Sequence, residues 1–167
     1  MNFFSLISIV SFITLVFGQV VLFNHLQVFG SINPILYLLF FIFYRFESNQ
    51  TLLILLSFLL GFLIDFLSQS GGAHTIASLT IGFLRPLIIR YSFGNTMELP
   101  QSYFSDSRTL NKLFFLVLLT VIHHLIYFTL IYFSLDAILL ITKNTIFTSL
   151  FSLILMVITL NFYPNRK

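Results

Sequence analysis

Charge is scarce in this chain, and cysteine is absent altogether. Without cysteine there is no disulfide framework, no thiolate nucleophile and no cysteine metal cluster. Eight basic and five acidic residues supply 8% of the 167 positions, against roughly 25% in soluble domains, whose surfaces must stay wet. So few charges cannot coat a water-soluble fold of this length. No charged residue precedes Arg45, and further charge-free runs cover residues 66–84, 113–135 and 144–165. Each is close to the ~20 apolar residues that cross a bilayer core as a helix. Gly-x-Ser-x-Gly, Ser-x-x-Lys and phosphate-binding glycine loops are missing too. The loops leave no room for a soluble catalytic domain, so enzyme chemistry is not expected.

What is present is apolar surface. Hydrophobic residues make up 58% of the chain and the mean hydropathy is +1.03. Segments such as Leu-Phe-Phe-Leu-Val-Leu-Leu-Thr-Val-Ile (113–122) are apolar all round. A transmembrane β-barrel would instead alternate apolar and polar residues, whereas helices close every backbone hydrogen bond internally in lipid. The expectation is an all-α polytopic membrane protein, a single integral membrane domain over 1–167. About six spans are placed at 2–23, 32–46, 51–68, 75–92, 110–135 and 144–163. Pro34 falls in the first turn of the second span, where its missing N–H costs nothing. The first span lacks a basic leader and a small-residue cleavage site, so it reads as an uncleaved helix. The sequon Asn49-Gln50-Thr51 carries little weight, since such triplets arise by chance.

Basic residues set the orientation. With both termini cytoplasmic, inner segments carry Arg45, Arg90, Arg108, Lys112, Arg166 and Lys167, and outer ones only Lys143. The net charge of +3 is then a matter of topology and implies no nucleic-acid partner. The longest loop, 93–109, mixes Glu98 and Asp106 with Arg108.

The densest information lies between Gly61 and Arg85, where two spans meet at Ser-Gln-Ser-Gly-Gly-Ala-His (68–74). Asp65 sits about three residues before the outer end of its span, where a carboxylate costs less than the ~2.5–3.5 kcal/mol at the bilayer centre. It either ties the hairpin by accepting hydrogen bonds from the next helix near His74 and Thr75, or serves partner binding or proton handling inside the bundle. Arg85 lies about eleven residues down the next helix, ~16 Å below the outer end. That depth argues for snorkelling toward the cytoplasmic interface beside Arg90, and a direct Asp65–Arg85 pair requires a large kink at Pro86. Pro86 removes a hydrogen bond to the Gly82 carbonyl and favours a kink. Gly71 and Gly72 can take the positive φ of a tight turn, and Gly61 and Gly82 let helix backbones approach closely. His123 and His124 point about 100° apart on one helix, so one metal cannot easily hold both. No metal or cofactor is implied, and His25 with Asn24 reads as polar loop.

The run Gly61-Phe62-Leu63-Ile64-Asp65, the Gly71-Gly72 turn and a following helix with Gly82 and Arg85 resemble the signature region of the rod shape-determining MreD family. Length, span number and short loops are similar as well. The resemblance implies a noncatalytic component of the bacterial cytoplasmic membrane, in the elongation machinery that directs lateral wall synthesis. Its implied partners are an MreC-like bitopic protein, the RodA glycosyltransferase, a class B penicillin-binding transpeptidase, MreB filaments and membrane lipids. MreD proteins in turn resemble the six-helix substrate-binding subunits of energy-coupling-factor vitamin transporters, which supplies the alternative. Such a subunit needs a polar cavity near the outer face, around Asp65, His74 and Asn24. Those subunits dock their scaffold through alanines four apart on the first helix. The first span here has no alanine, and Ser5, Ser8 and Ser11 drift around the helix instead of forming a groove.

Overall fold

A computed structural model describes residues 3–26, 32–45, 49–94, 102–104 and 108–162, with the side chains of the first helix described from Val10 onward. Its helical elements are α1 (Phe3–Gly18), a π-helical turn (Gln19–Phe23), α2 (Leu39–Phe43), α3 (Gln50–Ser68), α4 (Ala73–Phe93), α5 (Thr109–Tyr132), a 3-10 turn (Leu135–Ala137) and α6 (Ile138–Phe162). The expected end positions Asn2, Phe46 and Tyr163, and the charges Glu98, Asp106, Arg166 and Lys167, lie outside the described residues.

Polarity is distributed inside out. Gln19, Ser57, Asp65, His74, Ser78, Arg85, His123 and His124 are buried, while Phe66, Phe83, Leu135, Leu139 and Phe162 are exposed. Water would not tolerate so much contiguous apolar surface on a monomer; lipid does. Four helices are long and apolar enough to cross a membrane, namely α3, α4, α5 and the run from Leu135 to Phe162, and Val10–Phe23 is a shorter apolar helix. Together these features define an all-helical protein of membrane type. α3 packs on α4, α4 on α5 and α5 on α6, and α1 touches α2 and α3.

The second expected span is different in kind. Instead of a helix over 32–46, residues 33–36 run without regular structure into the five-residue α2. This segment is the centre of the core, for Tyr37, Leu38, Leu39, Phe40, Phe41 and Ile42 are all buried. Irregular backbone survives at membrane depth only when protein satisfies its polar groups, and here side chains do so. Gln19 Oε1 accepts from Leu36 N at 2.8 Å and Tyr37 N at 3.4 Å, and Gln19 Nε2 donates to Pro34 O at 3.1 Å. Ser152 Oγ, from the middle of α6, accepts from Ile35 N at 2.8 Å. The last span also starts earlier than expected, at Ile138, so Lys143 lies within a helix and not in an outer loop, and Asn144 lies inside the helix and not at its start.

Candidate functional site

Asp65 occupies the last turn of α3 and faces the start of α4. Its Oδ1 accepts from Ser70 Oγ at 2.5 Å and His74 N at 3.2 Å; its Oδ2 accepts from Thr75 N at 2.7 Å and Thr75 Oγ1 at 2.6 Å. The first N–H groups of a helix have no partner within it, and a carboxylate there also meets the positive end of the helix dipole. Asp65 thus caps α4 from the preceding helix. The turn itself needs three left-handed residues, Gln69 (φ 53°), Gly71 (φ 70°) and Gly72 (φ 92°). The two glycines were legible as such; Gln69, which ends α3 by donating its N–H to Asp65 O, was not.

Gly61 and Gly82 sit at the tightest points of the α3–α4 contact. A Cβ on Gly61 would lie 2.5 Å from His74 O and Thr75 Cα, so backbone meets backbone there. A Cβ on Gly82 would strike the Ser57 side chain, 2.8 Å from its Cβ. The carbonyl of Gly82, stripped of its helical donor by Pro86, accepts instead from Gln50 Nε2 at 2.7 Å.

Arg85 does not snorkel toward an interface beside Arg90. It is 2% exposed and turns inward. Its Nε donates to Phe41 O at 3.0 Å and its Nη atoms to the carbonyls of Tyr44 and Arg45, with the guanidinium over the Tyr44 ring. The reason is the short α2, whose last carbonyls have no helical partners and form the negative end of its dipole. Arg85 therefore serves the end of α2, and Asp65 serves the start of α4.

His74 leads into a buried polar network. Tyr37 Oη lies 3.0 Å from His74 Nδ1 and 2.7 Å from His123 Nε2, and accepts from Ser78 Oγ at 3.3 Å. A phenol has one proton to give, so with neutral imidazoles one of the two histidines must donate to Tyr37 while the other accepts. Among the described residues His123 Nδ1 has no partner in either arrangement. His124 is occupied separately, with Nδ1 2.7 Å from Thr120 O and Nε2 3.3 Å from Ser152 Oγ. The adjacent histidines thus serve different neighbours, and among the described residues no group of three or more His, Cys, Asp or Glu is placed to hold a metal.

Beside this network, at the end of the bundle that holds the α3–α4 turn, lies a cavity of about 500 Å³. Gln19, Asn24, Asn33, Ser68, His74 and Tyr127 contribute to its wall. Asn24 is more than loop: it accepts from Gln19 Nε2 at 3.0 Å and donates to Ser68 Oγ at 2.6 Å, joining the π turn to α3. Sequence reasoning missed Gln19, Tyr37 and Tyr127. Gln19 carried a signal, as an amide deep in a first span whose other interior polar side chains are the hydroxyls of Ser5, Ser8, Ser11 and Thr14; the tyrosines carried none. Comparison with protein-family models, curated proteins and solved structures finds no match for this chain.

Proposed function

We propose that this protein is a noncatalytic membrane scaffold of the MreD type, acting in the bacterial elongation machinery that maintains rod shape. The observation that carries the reading is how the motif residues are used. Gly61, Asp65, Gly71, Gly72 and Gly82 all serve to clamp α3 against α4, and none presents a free reactive group. A clamped pair of spans offers fixed outer faces to other membrane helices, such as the stacked Phe58, Phe62 and Phe66 ladder on α3. Helix faces of this kind suit docking to an MreC-like bitopic protein, to RodA and to a class B transpeptidase. The charges support the cytoplasmic-membrane orientation: Arg90 closes α4, and Arg108 and Lys112 open α5, at the end opposite the α3–α4 turn. That end is the one MreB filaments would meet on the inner side.

Depletion in a rod-shaped native host is expected to give rounded or swollen cells, and gentle-detergent pull-down to recover a bitopic wall-morphogenesis protein. Normal rods after complete depletion in a host without a paralogue would overturn the reading. Recovery of ATP-hydrolysing subunits in place of wall proteins would favour the transporter subunit.

A further inference from the structure

The cavity beside the Asp65–His74 turn is lined by polar and aromatic side chains. Its wall is fixed in advance. Gln19 has both amide protons and its carbonyl oxygen engaged, on Asn24, Pro34, Leu36 and Tyr37, so the irregular segment and the π turn are locked to each other. Small-molecule sites share this character: largely pre-formed, about 300–1,000 Å³, with a few oriented polar groups.

Three features of the wall specify an occupant. Among the described residues no Asp, Glu, Lys or Arg lines it, its ionisable side chains being His25, His74 and Tyr127, and the nearby Asp65 carboxylate is already bonded to four donors. A charged group seated there would leave water without a carboxylate, ammonium or guanidinium among the described lining residues to pair it. Two hydrogen-bonding atoms of lining residues have no protein partner among the described residues. They are His74 Nε2, on the ring whose Nδ1 is held by Tyr37, and Tyr127 Oη. Aromatic surface accompanies them, with Tyr127 tilted against His74 at 4.5 Å between ring centroids and Phe128 beside it. Amides, hydroxyls and aromatic rings in one wall favour a flat, polar ring system.

We infer that this cavity binds an uncharged, hydrogen-bonding heteroaromatic molecule of about nucleoside size, received by His74 Nε2 and Tyr127 Oη. The Tyr37 relay then selects the ligand's complement, because the tautomer it imposes on His74 decides whether Nε2 donates or accepts.

The test uses the full chain in detergent micelles, titrated with adenosine, guanosine, cytidine and thymidine and with their 5′-monophosphates, read by thermal shift and calorimetry. Native mass spectrometry of the chain extracted from its own host's membranes accompanies it. At least one nucleoside, or a co-purified uncharged heteroaromatic, is expected to bind, with the corresponding monophosphate failing. Tyr127→Phe removes a hydroxyl with no protein partner, so it should leave the unliganded Tm unchanged. The same change should weaken binding by roughly 2- to 10-fold, the worth of one hydrogen bond. Asn33→Trp, at an exposed rim position, should block binding while the chain stays monodisperse. The inference falls if no nucleoside shifts the Tm and the extracted chain carries only water or lipid. It also falls if monophosphates bind equally well, or if binding ignores both variants. None of these results bears on cell shape, so the scaffold reading stands or falls separately.

Discussion

Asp65 is buried, yet each of its oxygens is committed to a backbone N–H, Oδ1 to that of His74 and Oδ2 to that of Thr75. That division decides what a conservative replacement can do. From sequence, an acceptor that merely ties a turn should tolerate Asp65→Asn. The geometry is more demanding, because an amide offers one acceptor oxygen and turns its NH2 toward a second N–H donor. The hydroxyls of Ser70 and Thr75 can rotate to accept, but a backbone N–H cannot. Asp65→Asn is therefore expected to lower stability by about 1–3 kcal/mol, the cost of one buried donor left unpaired. Asp65→Leu, which abandons both N–H groups, should cost more. Thermal unfolding of the purified chain in detergent measures both, and a Tm for Asp65→Asn equal to the parent would contradict the two-oxygen cap. Asp65 was legible because a lone carboxylate in an apolar run stands out. Arg85 stood out for the same reason, but its depth suggested a route to the interface, since nothing in sequence announces that a short helix ends against it.

α3 and α4 are held by contacts of two kinds, and substitution can separate them. At Gly61 the obstacle to a side chain is the backbone of His74 and Thr75; at Gly82 it is the side chain of Ser57, itself tied to Leu53 O at 2.6 Å. Gly61→Ala must push the helices apart and should destabilise by several kcal/mol, as overpacking does in its severe form, with no single compensating change. Gly82→Ala should also destabilise, but Ser57→Gly removes the atoms in its way. The Gly82→Ala/Ser57→Gly pair should therefore recover most of the loss relative to Gly82→Ala alone. A double-mutant cycle on Tm is the measurement, and simple additivity at this pair would refute the contact. The α3–α4 hairpin was readable because glycine pairs and a charge punctuate local sequence. The segment at 32–45 was not, because Pro34 suits the first turn of a helix as well as irregular chain. What decides between them is supplied by Gln19, 15 residues from Pro34, and Ser152, 117 residues from Ile35. A helix needs only its own backbone, whereas this segment borrows acceptors and a donor from α6 and the π turn. Asn49 likewise has a local use that outranks its sequon, capping α3 through Thr51 N and Leu52 N.

The molecule as a whole reverses the polarity of a soluble protein, with amides, imidazoles and an arginine inside and phenylalanine and leucine outside. Composition made that reversal legible, since so few charges require lipid as the outer solvent. What composition leaves open is which end of the bundle faces the cytosol, and Arg90, Arg108 and Lys112, gathered opposite the α3–α4 turn, favour the basic end. The absence of cysteine makes the test direct, because any introduced thiol is the only one in the chain. Gln69→Cys and Leu135→Cys place it at exposed positions on the turn end, and Thr51→Cys and Thr109→Cys at exposed positions on the basic end. If the basic end is cytoplasmic, a membrane-impermeant maleimide should label the first two in intact spheroplasts and the second two only after permeabilisation. The reverse pattern would invert the protein and carry the nucleoside-sized cavity to the cytosolic side. Labelling of all four from one side would reject α3 and α5 as crossing helices, because each carries one of these thiols at its start and ends near another.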